Sequence, residues 1–296
     1  MIKVCQAGQN YAACLGVLIG WLLLFPTATI AQRAIPDDNL AYPVLIARSS
    51  GGSGSGFYLN TSTAIYLVTA KHVLFPPNAT QLLTPTATLI SYTRDPKGNG
   101  RNLITANLEA LFKTGNLIPH PREDIAVVRI GEIREKAVPD SPTSKRVSMI
   151  SGVTVTEKAG TGIVGADLET VKKFDDVLIA NSIIVFGYPT SLGLKEIPQL
   201  DPLRPLLRGG IVAGTHPEKK LLIIDCPVYP GNSGGPVVEI TNEWPEIRFK
   251  LIGVVSQFVP FDSARLKELP PEYHRSLTNS GYGIVTPMDH VLELLK

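Results

Sequence analysis

Cysteine is scarce in this chain, which contains only three among its 296 residues. Cys5 and Cys14 fall in an amino-terminal segment that we expect to be removed, which leaves Cys226 alone. A single cysteine forms no internal disulfide, so the sequence excludes a small scaffold held together by disulfides. Cys226 has no glycine beside it, which favours a buried structural thiol, with a nucleophilic thiol as the alternative.

The sequence also lacks a large excess of either positive or negative charge. The net charge is +2, without a dense basic block, and nucleic acid is not an expected partner because binding it needs clustered Lys and Arg. The stretch 52–56 is glycine-rich but lacks the Gly-Lys-Ser/Thr ending of a phosphate-binding loop. Four histidines are scattered without metal-ligand spacing: His120, His216, His274 and His290. We therefore predict no cofactor and no metal site.

Long hydrophobic runs are limited to one stretch near the amino terminus. Lys3 precedes a nearly apolar run over residues 11–25, Pro26 ends it, and small residues precede Gln32. This layout predicts a secretory signal peptide over residues 1–31, since the run is shorter than the ~20 residues of a membrane-spanning helix. We expect an exported protein, periplasmic or secreted, without stable membrane insertion once the signal is cut. An uncleaved signal that anchors the chain in the membrane is the alternative.

Short apolar runs rich in β-branched residues fill most of the remaining chain. Gly, Pro, Asn and Asp separate them, a pattern that favours an all-β barrel or sandwich. Helix signals are few, and residues 289–296 predict a short carboxy-terminal helix. The charged and Pro/Gly-broken residues near 131–175 are predicted to connect two halves, and residues 190–207 to form a long loop.

A serine lies between glycines in the segment Pro-Gly-Asn-Ser-Gly-Gly-Pro over residues 230–236. Glycines permit turns that side chains forbid, leave the Ser233 hydroxyl accessible, and allow backbone N–H groups to face what that hydroxyl attacks. The segment therefore indicates a nucleophilic serine, with a flexible Gly/Ser loop as the alternative.

Two further segments carry groups that complement such a serine. His72 follows an apolar run and a small-residue turn, and a histidine so placed can exchange a proton near neutral pH. Asp124 opens the apolar run 125–128. The alternatives are a histidine that only satisfies a buried hydrogen bond and an aspartate that is a solvated turn residue, as we expect for its neighbours Arg122 and Glu123.

His72, Asp124 and Ser233, in that order, resemble the chymotrypsin-like serine peptidases, and the likeness covers nearly all of residues 42–292. The flanking residues Thr69-Ala70-Lys71-His72, the run 124–128, the run 253–256 and the glycine-rich run 52–57 resemble the segments that this family has there. The segment 230–236 is similar to that of the bacterial DegP-like (HtrA) branch. We expect that branch without a PDZ domain, because only 63 residues follow Ser233.

This resemblance implies an all-β fold of two packed six-stranded antiparallel β-barrels with a short carboxy-terminal helix. A leader over residues 32–41 is expected first, then an amino-terminal barrel over 42–140 with His72 and Asp124. A connection over 141–178 follows, and a barrel over 179–296 carries Ser233 and the helix.

The resemblance also implies a role for each residue in a serine endopeptidase that acts on proteins or peptides. Ser233 is the expected nucleophile, His72 the general base and acid, and Asp124 the group that orients the histidine. The backbone N–H groups of Gly231 and Ser233 are expected to form the oxyanion hole.

Two departures from the family pattern change these expectations. Asn232 stands where digestive members have an aspartate that pairs with a freed amino terminus, so activation by trimming is not implied. Cys226, Pro227, Val228 and Tyr229 lead to the serine without an acidic residue, so cleavage after Arg or Lys is not supported, and small or medium apolar residues are expected instead.

The expected substrate contacts are Val228, Tyr229, Ser256, Gln257 and Phe258. Ordinary core packing is the alternative for Phe258. An oligomer is compatible with the sequence. The alternative function is a catalytically silent binding protein on the same fold.

Overall fold

A computed structural model describes the chain over eight ranges that include most of the segments singled out above. They are residues 39–77, 81–95, 98–135, 145–159, 162–189, 199–243, 246–262 and 277–295. The predicted signal peptide and most of the predicted leader lie outside these ranges. Among the helices of the described ranges, none combines the length and the hydropathy that a membrane crossing requires.

The amino-terminal half is a ten-stranded sheet. Its strands are β1 Pro43–Arg48, β2 Ser53–Asn60, β3 Ala64–Thr69, β4 Thr86–Tyr92, β5 Arg101–Asn107, β6 Leu117–Pro119, β7 Ala126–Glu135, β8 Arg146–Met149, β9 Val153–Glu157 and β10 Gly165–Asp167. They pair in the order β6-β7-β3-β2-β1-β4-β5-β9, while β8 pairs with β7, and β10 joins β2 in parallel. Buried and half-buried residues alternate along β5, as expected for a strand with one face on a core.

The carboxy-terminal half is a closed antiparallel barrel of six strands. They are β11 Ser182–Gly187, β12 Leu206–His216, β13 Leu221–Asp225, β14 Pro236–Glu243, β15 Glu246–Asp262 and β16 Leu277–Pro287, joined in the ring β11-β12-β13-β16-β15-β14. Each strand of the ring therefore pairs with two neighbours over part of its length.

Within the described ranges, three short helices lie at the ends of strands. They are α1 Lys71–Leu74, α2 Leu108–Lys113 and α3 Met288–Leu294. The Asn107 side chain caps α2 by accepting a hydrogen bond from the backbone N–H of Ala110. Helix α3 buries Met288, His290 and Val291. Single 3₁₀ turns span Asn39–Ala41, Leu168–Thr170 and Phe174–Asp176.

The two halves share part of their hydrophobic core. One cluster lies inside the first sheet and another inside the closed barrel. A third cluster joins residues of β2, β3 and β7 to residues of β15 and α3, among them Val68, Val127, Val254 and Met288. Burial of apolar surface in this third cluster therefore couples both halves.

The predicted fold class and the carboxy-terminal helix are confirmed, with a difference in the first half. The pairings of the described residues close the second barrel, whereas the first half is an open path of strands, or half-barrel. The segment 141–178, expected to be a connection, contributes β8, β9 and β10 to the first sheet. Of the predicted loop 190–207, the last two residues belong to β12.

Candidate active site

His72 lies at the rim where β3 ends. Ala70 is the extended residue before α1, and this single helical turn buries Val73 and Leu74 while it leaves the His72 side chain 45% exposed. Burial of the two apolar residues fixes the turn, so that the imidazole faces the solvent side of the sheet end.

Asp124 contacts His72 at two points. Its Oδ2 accepts a hydrogen bond of 2.7 Å from His72 Nδ1, and its Oδ1 accepts one of 2.9 Å from the His72 backbone N–H. An ionised carboxylate only accepts hydrogen bonds, so the proton of the neutral imidazole resides on Nδ1. The lone pair is therefore on Nε2, and this nitrogen can take up a proton.

A buried histidine shapes the turn that carries Asp124. His120 is 3% exposed, and its Nδ1 accepts hydrogen bonds from the backbone N–H groups of Arg122, at 3.2 Å, and Glu123, at 2.8 Å. Lys71, next to His72, donates from Nζ to the His120 carbonyl at 3.0 Å. The His120 ring thus acts as a local cap that folds the chain back toward His72.

Helix α3 holds the other side of the same ring. His120 Nε2 donates to Glu293 Oε2 at 3.0 Å, and this hydrogen bond lowers the pKa of the Glu293 carboxyl below its ordinary value. The ring of His290 meets that of His120 edge-on, with 5.4 Å between the centroids. A residue of the last helix is thereby connected to the Asp124 turn.

The cluster of His120, His290 and Glu293 resembles a metal site in its spacing, because its ligand atoms lie within 4.8 Å of one another. However, His120 Nδ1 already accepts two backbone N–H groups, so the single proton of the neutral ring must be on Nε2. A protonated nitrogen offers no lone pair to a cation, and the donor set does not fit a metal.

Ser233 is the second residue of the latter of two consecutive turns, 229–232 and 232–235, and these turns explain the glycines of the motif. The backbone N–H of Asn232 bonds to the Tyr229 carbonyl, and that of Gly235 to the Asn232 carbonyl, both at 2.9 Å. The third residues of the two turns, Gly231 and Gly234, have φ of +100° and +89°. Both turns are therefore of the kind that needs a positive φ at this position, which glycine adopts at little cost.

The serine loop packs against the strand end that leads to His72. A Cβ added to Gly234 would lie 2.3 Å from Thr69 Oγ1 and 3.0 Å from the backbone nitrogen of Ala70, so only glycine fits there. On the other side, the backbone N–H of Gly234 bonds to the Val255 carbonyl at 2.7 Å. The loop that carries Ser233 is thus adjacent to the strand end that precedes His72, and His72 is in direct contact with Asp124.

The two predicted contact residues that precede the serine differ in exposure. Val228 is 2% exposed and belongs to the core of the closed barrel. Tyr229 is half-buried, and the guanidinium carbon of Arg208 lies 4.6 Å from its ring centroid. Arg208 Nη1 also donates to the Pro227 carbonyl at 3.4 Å, so a cation stands beside this segment.

The other predicted contacts follow one another on β15. Ser256 is 8% exposed, and its hydroxyl is within hydrogen-bonding distance of Thr286 Oγ1, at 2.5 Å. Gln257 is exposed. Phe258 is half-buried and packs against the core of the closed barrel, which agrees with the core-packing alternative for part of its side chain.

Cys226 is fully buried and belongs to the core of the closed barrel. Burial raises the pKa of its thiol, which disfavours the thiolate that a nucleophilic cysteine needs. These observations favour the structural thiol over the nucleophile.

Three residues that hold the site together carried no signal in the sequence. His120 and Glu293 are 173 positions apart, and only the folded chain reveals their contact. Ser55 lies in the glycine-rich run, where the sequence does not distinguish it from Ser53.

The half-barrel and closed barrel, with a serine loop beside a histidine and an aspartate in contact, define a chymotrypsin-like serine peptidase fold. Residues 54–244 match the model of the trypsin-like peptidase domain, and the chain belongs to this family of serine proteases. No curated protein sequence matches the chain.

Several solved protease structures resemble the chain at low sequence identity. The thermostable serine protease AL20 from an extremophilic microorganism is 15% identical, with coverage of 88% of this chain and 96% of that chain and a TM-score of 0.50. Deg5 is 17% identical, with coverage of 86% and 88% and a TM-score of 0.45.

The HtrA-type protease AlgW with a tripeptide is 15% identical, with coverage of 86% of this chain and a TM-score of 0.44. This chain spans 59% of that AlgW chain. At these identities the likeness to AL20 shows the fold.

Proposed function

We propose that the protein is a serine endopeptidase that cleaves protein or peptide substrates with Ser233, His72 and Asp124. The observation that carries this proposal is the two-point contact of the Asp124 carboxylate with His72, through the imidazole Nδ1 and the backbone N–H. It supports a histidine that is held in one tautomer with its Nε2 ready to accept a proton.

In the first half of the proposed reaction, Ser233 Oγ attacks the carbonyl carbon of the scissile peptide. The new C–O bond forms as the hydroxyl proton moves to His72 Nε2, and the carbonyl π electrons move to oxygen. When the tetrahedral species collapses, the C–N bond breaks and His72 gives this proton to the leaving amine. An acyl ester of Ser233 remains.

In the second half, water attacks the acyl carbon. His72 Nε2 takes a proton from that water, the ester C–O bond breaks, and the proton returns to Ser233 Oγ. The products are a carboxylic acid and the regenerated enzyme. Asp124 stays ionised throughout and stabilises the imidazolium that forms twice in each cycle.

The proposed oxyanion hole uses the backbone N–H groups of Gly231 and Ser233. Of the five N–H groups from Gly231 to Gly235, those of Asn232, Gly234 and Gly235 bond to carbonyls of described residues. This arrangement supports the assignment of the other two to the negative oxygen, where each donor contributes about 3 kcal/mol to transition-state stabilisation.

The proposed substrate strand lies along β15 after Val255. The pairings of β15 with β14 reach Val254, and from Gln257 onward the partners found among the described residues lie on β16 alone. A strand edge of this kind supports recognition of an extended peptide backbone by hydrogen bonds. Val228, Tyr229, Ser256, Gln257 and Phe258 are the proposed contacts.

The proposed specificity excludes basic side chains at the cleavage position. The segment 226–232 has no acidic residue, and Arg208 adds a cation beside Tyr229. Like charges repel, and small or medium apolar side chains fit the proposal best. A cleavage profile over a peptide library measures this preference, and a peak at Arg or Lys would contradict it.

We further propose that the protein is exported to the periplasm or secreted after the signal peptide 1–31 is cut. The apolar run before Pro26 supports this proposal. Amino-terminal sequencing of exported material is expected to begin at Gln32. Recovery of an intact amino terminus in the membrane fraction would support the anchored alternative.

Labelling by a fluorophosphonate, which phosphonylates an activated serine, tests the enzymatic proposal. We expect one label per folded wild-type molecule and none on Ser233→Ala, with peptidase activity lower by about 10⁶-fold in the variant. Ser182→Ala, at an exposed position of β11, is the matched control that retains labelling at Ser233. A folded wild-type protein that takes up no label would favour the silent binding protein instead.

A further inference from the structure

Ser55 connects the first sheet to the loop of Ser233. It lies on β2 with 0% exposure. Its backbone N–H donates to the Ser233 carbonyl at 2.8 Å, and its hydroxyl donates to the Gly231 carbonyl at 2.7 Å. One residue of the amino-terminal half therefore binds two carbonyls of a loop that belongs to the other half.

Ser55 is itself held in place by two neighbours. Its hydroxyl oxygen accepts a hydrogen bond from the Tyr188 backbone N–H at 2.9 Å, and its carbonyl accepts one from Thr69 Oγ1 at 2.7 Å. The Ser55 hydroxyl thus donates to the Gly231 carbonyl of the loop and accepts from the Tyr188 backbone N–H, just after β11. Because this hydroxyl both donates and accepts a hydrogen bond, a different rotamer of Ser55 would leave at least one partner unpaired.

These contacts help to fix the two peptide planes that flank the Asn232–Ser233 peptide. In a trans peptide the carbonyl and the N–H point in opposite directions. The Gly231–Asn232 peptide is held at its carbonyl by Ser55 Oγ and at its N–H by the Tyr229 carbonyl. The Ser233–Gly234 peptide is held by the Ser55 backbone N–H and by the Val255 carbonyl.

The peptide between those two planes, Asn232–Ser233, is also anchored. Its carbonyl accepts the Gly235 backbone N–H at 2.9 Å, so the Ser233 N–H points the opposite way. Asn232 is neutral and 1% exposed, which means that no ion pair of its side chain orders this loop. The hydrogen bonds of Ser55 connect this loop to the first sheet and order it.

We propose that Ser55 is a positioning residue that holds the loop from Gly231 to Gly234 and thereby keeps the N–H group of Ser233, one of the two proposed donors, aimed at the oxyanion. This inference rests on the proposed function, and it assigns the order of the oxyanion hole to a neutral hydroxyl that is present as soon as the chain folds. Loss of the hydroxyl frees the Gly231 carbonyl and leaves the Tyr188 N–H unpaired, so the loop samples orientations that do not serve the transition state.

The test compares wild type, Ser55→Ala and Ser91→Ala. Ser91 is an equally buried serine of the same sheet, on β4, and it controls for the loss of a buried hydroxyl. Each protein is titrated with a valine-terminated peptide boronic acid, which forms a tetrahedral adduct with an activated serine, and with the same peptide as a carboxylic acid. The rate of fluorophosphonate labelling is measured in parallel.

We expect Ser55→Ala to be labelled at least tenfold more slowly and to bind the boronic acid more weakly by a similar factor, but by less than the 10²–10³-fold that loss of a whole oxyanion donor costs. Affinity for the carboxylic acid is expected to change less than twofold, and Ser91→Ala to match wild type. Equal losses for both peptides, or no loss, would overturn the positioning role.

A second variant decides the question if Ser55→Ala does not fold. Ser55→Cys keeps the shape of the side chain with a weaker donor, and labelling is expected to slow by an intermediate factor. A folded Ser55→Cys protein that is labelled at the wild-type rate would overturn the inference while leaving the proposed function intact. Absence of label on wild type would refute the proposed function itself, and the positioning role with it.

Discussion

At the scale of single residues, Asp124 decides which nitrogen of His72 carries the proton. Its Oδ1 is bound by the backbone N–H of His72, so only Oδ2 faces the imidazole. The carboxylate therefore controls both the position and the tautomer of the ring.

Asp124→Asn is expected to lower kcat by about 10⁴-fold, the loss known for this change in the family template. The amide oxygen of the new side chain must remain on the backbone N–H, so its NH₂ group faces Nδ1 and forces the proton onto Nε2. Steady-state kinetics measures the loss. Glu123→Gln, on the same turn, is the control and is expected to remain within twofold of wild type.

Cys226 gives a second prediction at this scale. Because the thiol is fully buried and burial raises its pKa, we expect no alkylation by iodoacetamide in the native protein at pH 8 and complete alkylation in urea. Mass spectrometry of the peptide that contains Cys226 measures both states. Rapid native alkylation would show a reactive thiol and revive the alternative of a cysteine nucleophile.

At the scale of elements, helix α3 supports the Asp124 turn through Glu293 and His120. The pKa of the Glu293 carboxyl is lower in the folded protein, so its ionised form stabilises the fold above the ordinary value near pH 4.3. This contribution disappears as the pH falls through the folded-state pKa. Because the side chain is 42% exposed, we expect it to be below about 1 kcal/mol.

Glu293→Gln is accordingly expected to be less stable than wild type at pH 7 and equally stable near pH 3. Urea unfolding at both pH values measures the difference. Glu218→Gln, at an exposed position, is the control whose difference from wild type should not depend on pH. A Glu293→Gln difference that persists at pH 3 would show that the carboxylate charge is not the cause.

The elements differ in how well the sequence predicts them. Long strands with buried runs, such as β2 and β7, and the helix at the carboxyl end are visible as patterns. Strand β9 was missed although Val153 and Val155 alternate with threonines, because five such residues lie within a segment that the charges, prolines and glycines marked as a connection, and only Val153 is buried. Helix α2 has six residues, too few for a helical period to show.

At the scale of the whole molecule, the third core cluster joins the two halves. Met288 on α3 is fully buried in it together with Val127 of β7 and Val254 of β15. We expect Met288→Ala to lower the free energy of unfolding by about 2–4 kcal/mol through the cavity that it creates.

Hydrogen exchange distinguishes the effect on each half. Met288→Ala is expected to reduce protection in both halves, since the shared cluster loses contacts on each side. Leu222→Ala, within the core of the closed barrel, is the comparison and should reduce protection mainly in that barrel. If Met288→Ala loses protection in only one of the two halves, the third cluster does not couple the first sheet to the closed barrel.

The sequence was sufficient to propose His72, Asp124 and Ser233 as site residues, because the type of each residue and its neighbours indicate a chemical role. The supports were not predictable, because a serine among glycines and a lone histidine gain their roles only from partners far along the chain. Ser55 and His120 are examples, and their partners Gly231 and Glu293 are 176 and 173 positions away.

The span between Ser55 and Gly231 has a consequence for biosynthesis. A polypeptide that emerges from the ribosome presents its imidazole and carboxylate more than a hundred residues before the nucleophile is translated. The Ser55 hydroxyl can bind the Gly231 carbonyl only after the second barrel has formed. A nascent or prematurely terminated chain is therefore expected to have no peptidase activity, because the proposed catalytic residues come together only at the last stage of folding.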